Sequence, residues 1–388
     1  MESNIQKAVN PETSKVNKVL IIGPIPPPFG GIATVIDSII NSELKRDFSF
    51  ELFNRSESLY EAGTGSLRRQ LKKIGRALSL FKKLWSGGYD FIHLHGSTSG
   101  FAGDTLVLIV AFLARTKALL HLHGTDWGRF YGNVSWFRRF YVRVGVSIPK
   151  RIVVLYNLWA ENIRKIDSKI NVRVIRNFIP DCSPPDAARV TALRQKLRIK
   201  PEEFVVSSIG RVGWRKGSFD IVEAASMPAI ANSGLRILLV GGEENQGEME
   251  RLQKFVVEKG VAQWVNLIDE VHIEDVPLFL EMSDVFVLPS YYEGMPMSII
   301  EAMRNGKPII STKVGAMPDM IESGVSGILI NPASPQEIAE SIHMLRTNPE
   351  LREKISSKAR ITFEDGFETS RVVSNLKKLY QEMLENES

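Results

Sequence analysis

DVFVLPSYYEGMPMSIIEAMRNGKPIIST, residues 284–312, leads from one apolar run to another through a loop and a helical segment. VFVLPS and PIIST are short and continuously apolar, the pattern of strands buried on both faces. Pro296 suits a helix start, where its missing amide costs nothing. Strand, helix and strand in this order form the repeating unit of a parallel sheet. Glu293 and Glu301 stand eight residues apart at the carboxyl end of the first of these strands, where open α/β sheets bind their ligands. Acids so placed could be solvated loop residues, a general acid and base, metal ligands, or acceptors for the hydroxyls of a polyol.

The same alternation runs along the chain. Strands are predicted at 19–23, 91–96, 118–124, 151–156 and 172–177, and then at 204–210, 236–242, 264–269, 285–290, 308–312 and 327–330. At 388 residues the chain exceeds one ordinary core, so two doubly wound α/β domains are expected. NFIPDCSPPD, 177–186, has three prolines and no periodicity and reads as the linker. Residues 1–15 read as a flexible tail. One cysteine, Cys182, excludes a disulfide framework and fits a reducing compartment. The start is polar, without a secretory signal. TLVLIVAFLA, 105–114, is too short to span a bilayer and reads as a buried helix.

The net charge of +5 hides an asymmetry: 26 − 14 = +12 for residues 1–184 against 23 − 30 = −7 for 185–388. The first half is therefore suited to an anionic partner. In GSLRRQLKKIGRALSLFKKLW, 65–85, Leu67, Leu71, Ile74, Leu78, Phe81 and Trp85 form an apolar stripe among seven bases. WFRRFYVRVGVSIPKR, 136–151, again mixes bases with aromatic rings. An ordinary surface helix is one reading; peripheral contact with an anionic membrane is the sharper one. No nucleic-acid module is present.

Other unusual residues gather at predicted strand ends. Gly30 and Gly31 open a helix after the first strand and would let backbone amides approach an anion. Arg211 and Lys216 bracket the turn of RVGWRKG, suited to holding a diphosphate. Pro296, Met297 and Ser298 begin a helix whose free amides form another anion seat. His93, His95, His121 and His123 come from two H-L-H-G copies; without Cys or H-E-x-x-H they do not read as a metal site. His93 and His121 are expected in the core, and His123 near a substrate. No D-x-D occurs, so no metal is expected at Glu293 and Glu301.

Together EGMPMSIIEAMRNGKPIISTKVGAMPDMI (293–321), PPFGG, His123, Arg211 with Lys216, and DVFVLPS resemble the retaining family 4 glycosyltransferases of the GT-B fold, from about residue 18 onward. The resemblance implies an α/β fold of two Rossmann-like domains facing each other across a cleft. The acceptor domain would be 16–178 and the nucleotide-sugar domain 179–365, with 366–388 a helix crossing back to the first domain. It implies a hexosyltransferase using a nucleotide-diphosphate sugar, UDP-linked by the family's habit, without metal or other cofactor, and acting on a lipid-linked or polysaccharide acceptor. The place would be the cytoplasm or the inner membrane face. Glu301 would accept from the ribose hydroxyls and Glu293 from the transferred sugar. Arg211 and Lys216 would neutralise the diphosphate with amides near Gly294, Met295, Pro296, Met297 and Ser298; Gly30 and Gly31 would line the donor site, and His123 would lie beside the reacting centre. Asp269 and Tyr156-Asn157 depart from the family pattern, beside the base pocket and the acceptor side. A sugar-nucleotide epimerase of the same fold, or a non-catalytic binding subunit, would use the same clefts.

Overall fold

The computed structural model describes residues 16–24, 30–55, 66–98, 100–124, 127–180, 183–231 and 234–385. The expected tail 1–15, the prolines before Gly30, Thr125-Asp126, Cys182 and the last three residues lie outside the described residues, as do the side chains of 66–73.

The first sheet holds β1 (Asn17–Gly23), β2 (Phe48–Asn54), β3 (Phe91–Ser97), β4 (Lys117–His123), β5 (Arg151–Val154) and β6 (Val172–Val174), in the order β2-β1-β3-β4-β5-β6. The second holds β7 (Phe204–Ile209), β8 (Leu235–Val240), β9 (Val265–Ile268), β10 (Val285–Leu288), β11 (Ile309–Thr312) and β12 (Ile328–Ile330), in the order β12-β11-β10-β7-β8-β9. All pairings are parallel. The strand order reverses between β1 and β3 in one sheet and between β7 and β10 in the other. These reversals are the crevices where doubly wound sheets take ligands.

β2 (FSFELFN) is the strand that sequence reading did not find. It lies on an edge, pairs only with β1, and buries little beyond Phe48. An edge strand lacks the continuous apolar signal that marks its covered neighbours.

One helix refines the sequence reading and a second corrects it. Helix Ser66–Gly87 turns Leu80 and Leu84 into the core and leaves Ile74, Leu78 and Trp85 exposed. Among its described residues, the apolar stripe read from the sequence is thus mainly an outer stripe. Helix Phe101–Leu113, expected to be buried, leaves Leu106, Phe112 and Leu113 in solvent.

The last helix, Thr369–Leu384, leaves the second half of the chain to cover the first sheet. Val372, Leu376, Leu379 and Tyr380 pack with Val19, Ile21 and Phe91. Its final carbonyls, Met383 and Leu384, accept from Lys117 Nζ at 3.1 and 3.2 Å, a cation at the negative end of the helix. Among the described residues, no helix is long and apolar enough to cross a membrane.

Candidate functional site

The loop after β10 carries the candidate site. Glu293 is 8% exposed and accepts from Ser290 Oγ at 2.9 Å and Lys216 Nζ at 2.6 Å. Arg215 Nη1 stands 3.7 Å from the same carboxylate oxygen and its guanidinium lies over the Tyr292 ring. A carboxylate this sheltered is tolerable because cations and a hydroxyl face it. Arg215 was missed by sequence reading, although it adjoins Lys216; the signal was the doubled charge on one short turn. Ser290, in the quoted stretch, was missed too.

Gly217 reaches φ 72°, and a Cβ there would come within 2.3 Å of the Pro289 carbonyl. That close approach brings Lys216, at the start of helix Ser218–Ala225, onto the end of β10. Arg211 takes a different direction. It is exposed and donates from Nη1 to the Glu243 carbonyl at 3.1 Å, beyond β8. The two cations therefore lie on either side of the end of β7 rather than sharing one partner.

Helix Met297–Arg304 begins behind Pro296, directly after this loop. Burial raises the Glu301 carboxyl above its usual range, opposed in part by Arg304. Its carboxylate has no side-chain partner among the described residues, which leaves its oxygens free to accept from a ligand. Met295 is buried, and its carbonyl accepts from Asn177 Nδ2 at 2.9 Å, tying the loop to the linker.

The first domain also meets this loop at Gly294. A Cβ on Gly294 would lie 2.2 Å from the Gly124 carbonyl oxygen, so only glycine permits the contact. His123 and Glu293 are each one residue from it, in the first and second domains respectively. Asp319 adds a second bridge, its Oδ2 accepting from the Asn157 amide at 3.1 Å; Tyr156 beside it is buried against Trp159. The Tyr156-Asn157 departure thus sits at a domain bridge. Gly30 and Gly31 stand at the start of helix Gly31–Asn41, at the other reversal, and among the described residues nothing lies within 4 Å of a Cβ added to either. Asp269 is exposed past the end of β9.

Histidines 93, 95, 121 and 123 are all buried on one face of β3 and β4. His93 Nδ1 lies 2.7 Å from Tyr380 Oη, and His95 Nδ1 lies 2.9 Å from His123 Nε2. Burial pushes His93 and His123 down to about 3 and His95 and His121 well below the usual imidazole range. All four are neutral at physiological pH.

Residues 190–362 match the family model of glycosyl transferases group 1. The chain is 26% identical over 324 residues to the UDP-Gal:alpha-D-GlcNAc-diphosphoundecaprenol alpha-1,3-galactosyltransferase of Escherichia coli, covering 81% of each. The chain carries a group 1 glycosyl transferase domain within a GT-B fold. The enzyme is also 27% identical over 345 residues to the D-inositol 3-phosphate glycosyltransferase of Thermobifida fusca, covering 82% of this chain and 73% of the relative. Its fold matches the crystal structure of Anabaena HepE in complex with UDP-glucose, with a TM-score of 0.73 at 19% identity, over 94% of this chain and 99% of the other.

Proposed function

We propose that the enzyme moves a hexose or N-acetylhexosamine from a UDP-linked sugar to a hydroxyl of a lipid-linked or polysaccharide acceptor at the cytoplasmic face of a membrane. The anomeric configuration is retained and no metal takes part. One observation carries this reading: the Gly124–Gly294 contact brings the residue after His123 against the residue after Glu293, the partner of Lys216 at the end of β10.

In the free enzyme Lys216 neutralises Glu293. A diphosphate arriving at the helix start behind Pro296 would draw the Lys216 ammonium to itself, where it stabilises the charge that builds on the leaving group. Glu293 then keeps Ser290 and Arg215 as neighbours and accepts from hydroxyls of the sugar. Glu301 accepts from the ribose, and Arg211 holds the diphosphate from the β8 side. The name of the E. coli relative supports a UDP donor and a lipid-diphosphate acceptor. The UDP-glucose bound by the Anabaena neighbour supports the donor class. Retention follows from the family resemblance, and the missing D-x-D supports a reaction without a metal.

Purified enzyme incubated with a panel of UDP-sugars and a short-chain lipid-diphosphate sugar, in the presence of EDTA, is expected to release UDP and form an axial glycoside from an axial donor. Failure to release UDP from any donor, or an inverted product, would sink the reading.

A further inference from the structure

The two H-L-H-G copies place four imidazoles in a row, and only His123 has a part in the reading above. The row runs along one face of β3 and β4, from Tyr380 on the last helix to His123 beside the cleft. The buried ring nitrogens without a partner are Nε2 of His93, Nε2 of His95, and both nitrogens of His121.

Such a group suggests a cation, and His93, His95 and His121 do bring ring nitrogens within 4.8 Å of one another. The ring planes argue otherwise. His93 and His121 stack with planes only 3° apart and centroids 5.4 Å apart. Stacked parallel planes share no point on which two in-plane lone pairs could converge, and the trio holds no carboxylate to balance a dication.

Counting protons leads elsewhere. A neutral imidazole has one N–H, and the 2.9 Å contact between His95 Nδ1 and His123 Nε2 uses one donor and one acceptor. If His123 donated, His95 would carry its own proton on Nε2, an N–H sealed in the core with nothing to accept it. If His95 donates, a bare lone pair is left at Nε2. Buried orphan N–H groups are the rarer and costlier of the two. The first arrangement is therefore disfavoured.

We infer that His95 is a positioning residue that holds His123 as its Nδ1–H tautomer, so that His123 meets the sugar as a hydrogen-bond donor and not as a base. The inference rests on the reading of His123 as the residue beside the reacting sugar. A donor there suits a hydroxyl or ring oxygen whose lone pairs must be held while the bond to the diphosphate breaks. Burial keeps both rings neutral, so the tautomer is set by this hydrogen bond and not by charge. The sequence supplies the device by strand alternation: β3 and β4 run parallel with Ser97 opposite His123, so His95 stands diagonal to it on the same face.

The test is nitrogen NMR on full-length enzyme labelled with 15N-histidine, at neutral pH, with kinetics on the same samples. Wild-type His123 is expected to carry its proton on Nδ1. His95→Leu should free the Nε2–H form and lower kcat about five- to tenfold with donor KM unchanged, the loss of one neutral hydrogen bond. His95→Asn, whose side-chain amide can donate from near the place of Nδ1, should restore both. A wild-type His123 protonated on Nε2 would overturn the inference, as would wild-type kcat in His95→Leu. If the wild type turns over no sugar nucleotide, the proposed function fails, and the NMR spectrum still decides the tautomer.

Discussion

Glu293 and Glu301 differ in what already surrounds them. Glu293 is held by Ser290 and Lys216, with Arg215 nearby; Glu301 is desolvated, and its carboxylate has no side-chain partner among the described residues. On the proposed function, Glu293 is bonded to the cation that meets the leaving group and should matter most while charge is moving. Glu301, proposed to accept from the ribose hydroxyls, should matter for binding. Glu301→Ala is therefore expected to weaken donor affinity by about 1.5–3 kcal/mol, roughly tenfold or more, with a smaller effect on kcat. Glu293→Ala should chiefly depress kcat. Calorimetric donor titration with steady-state kinetics checks both, and the opposite split would mean that the donor lies the other way round.

At the level of elements, β3 and β4 carry a pH dependence. The unfolded chain takes up protons on its histidines near pH 6.5, whereas the folded row refuses them until about pH 3 at His93 and His123. Between those values the unfolded state binds more protons, so stability is full above pH 6.5 and falls as the pH drops through the window. Each buried ring contributes at most about 1.4 kcal/mol per pH unit there. Thermal unfolding is expected to fall steeply from pH 6.5 to 4.5. His121→Leu should remove about one proton from the slope, since the leucine has nothing to titrate. An unchanged slope would show that His121 is protonated in the native state.

On the scale of the whole molecule, three helices make one surface. Ser66–Gly87, Phe101–Leu113 and Trp136–Ser147 lie side by side, with Tyr141 Oη donating to the Ala102 carbonyl at 3.0 Å. They expose Leu78, Trp85, Phe112, Phe137 and, at 81%, Trp136. Lys82, Arg115, Arg138 and Arg143 are exposed among them. Apolar rings interleaved with bases fit the interface of an anionic bilayer, where each base near the lipid contributes ~1 kcal/mol. In flotation, the enzyme should rise with vesicles containing anionic lipid and stay behind with neutral ones. Trp136→Ser with Phe137→Ser should reduce recovery several-fold without changing turnover of soluble substrates. Equal recovery in both vesicle types would remove the membrane from the proposal.

Much of this was legible in the chain itself. The apolar strands, the loop glycines, and the acids and bases at strand ends come from local chemistry, since a strand covered on both faces and a helix start need particular residue types wherever they occur. Local chemistry also explains the H-L-H-G copies as two strands with one histidine face. What it could not supply was partnership. That Lys216 seats on Glu293 while Arg211 turns to the Glu243 carbonyl, that Asp319 bridges to Asn157, that Tyr380 closes over His93, and that the stripe of Ile74, Leu78 and Trp85 faces outward were decided by tertiary structure. Periodicity tells which residues share a face, but which of two apolar faces is buried depends on what packs against it. A charge shows that a partner is needed, and its identity follows only when strands distant in sequence are brought to one crevice.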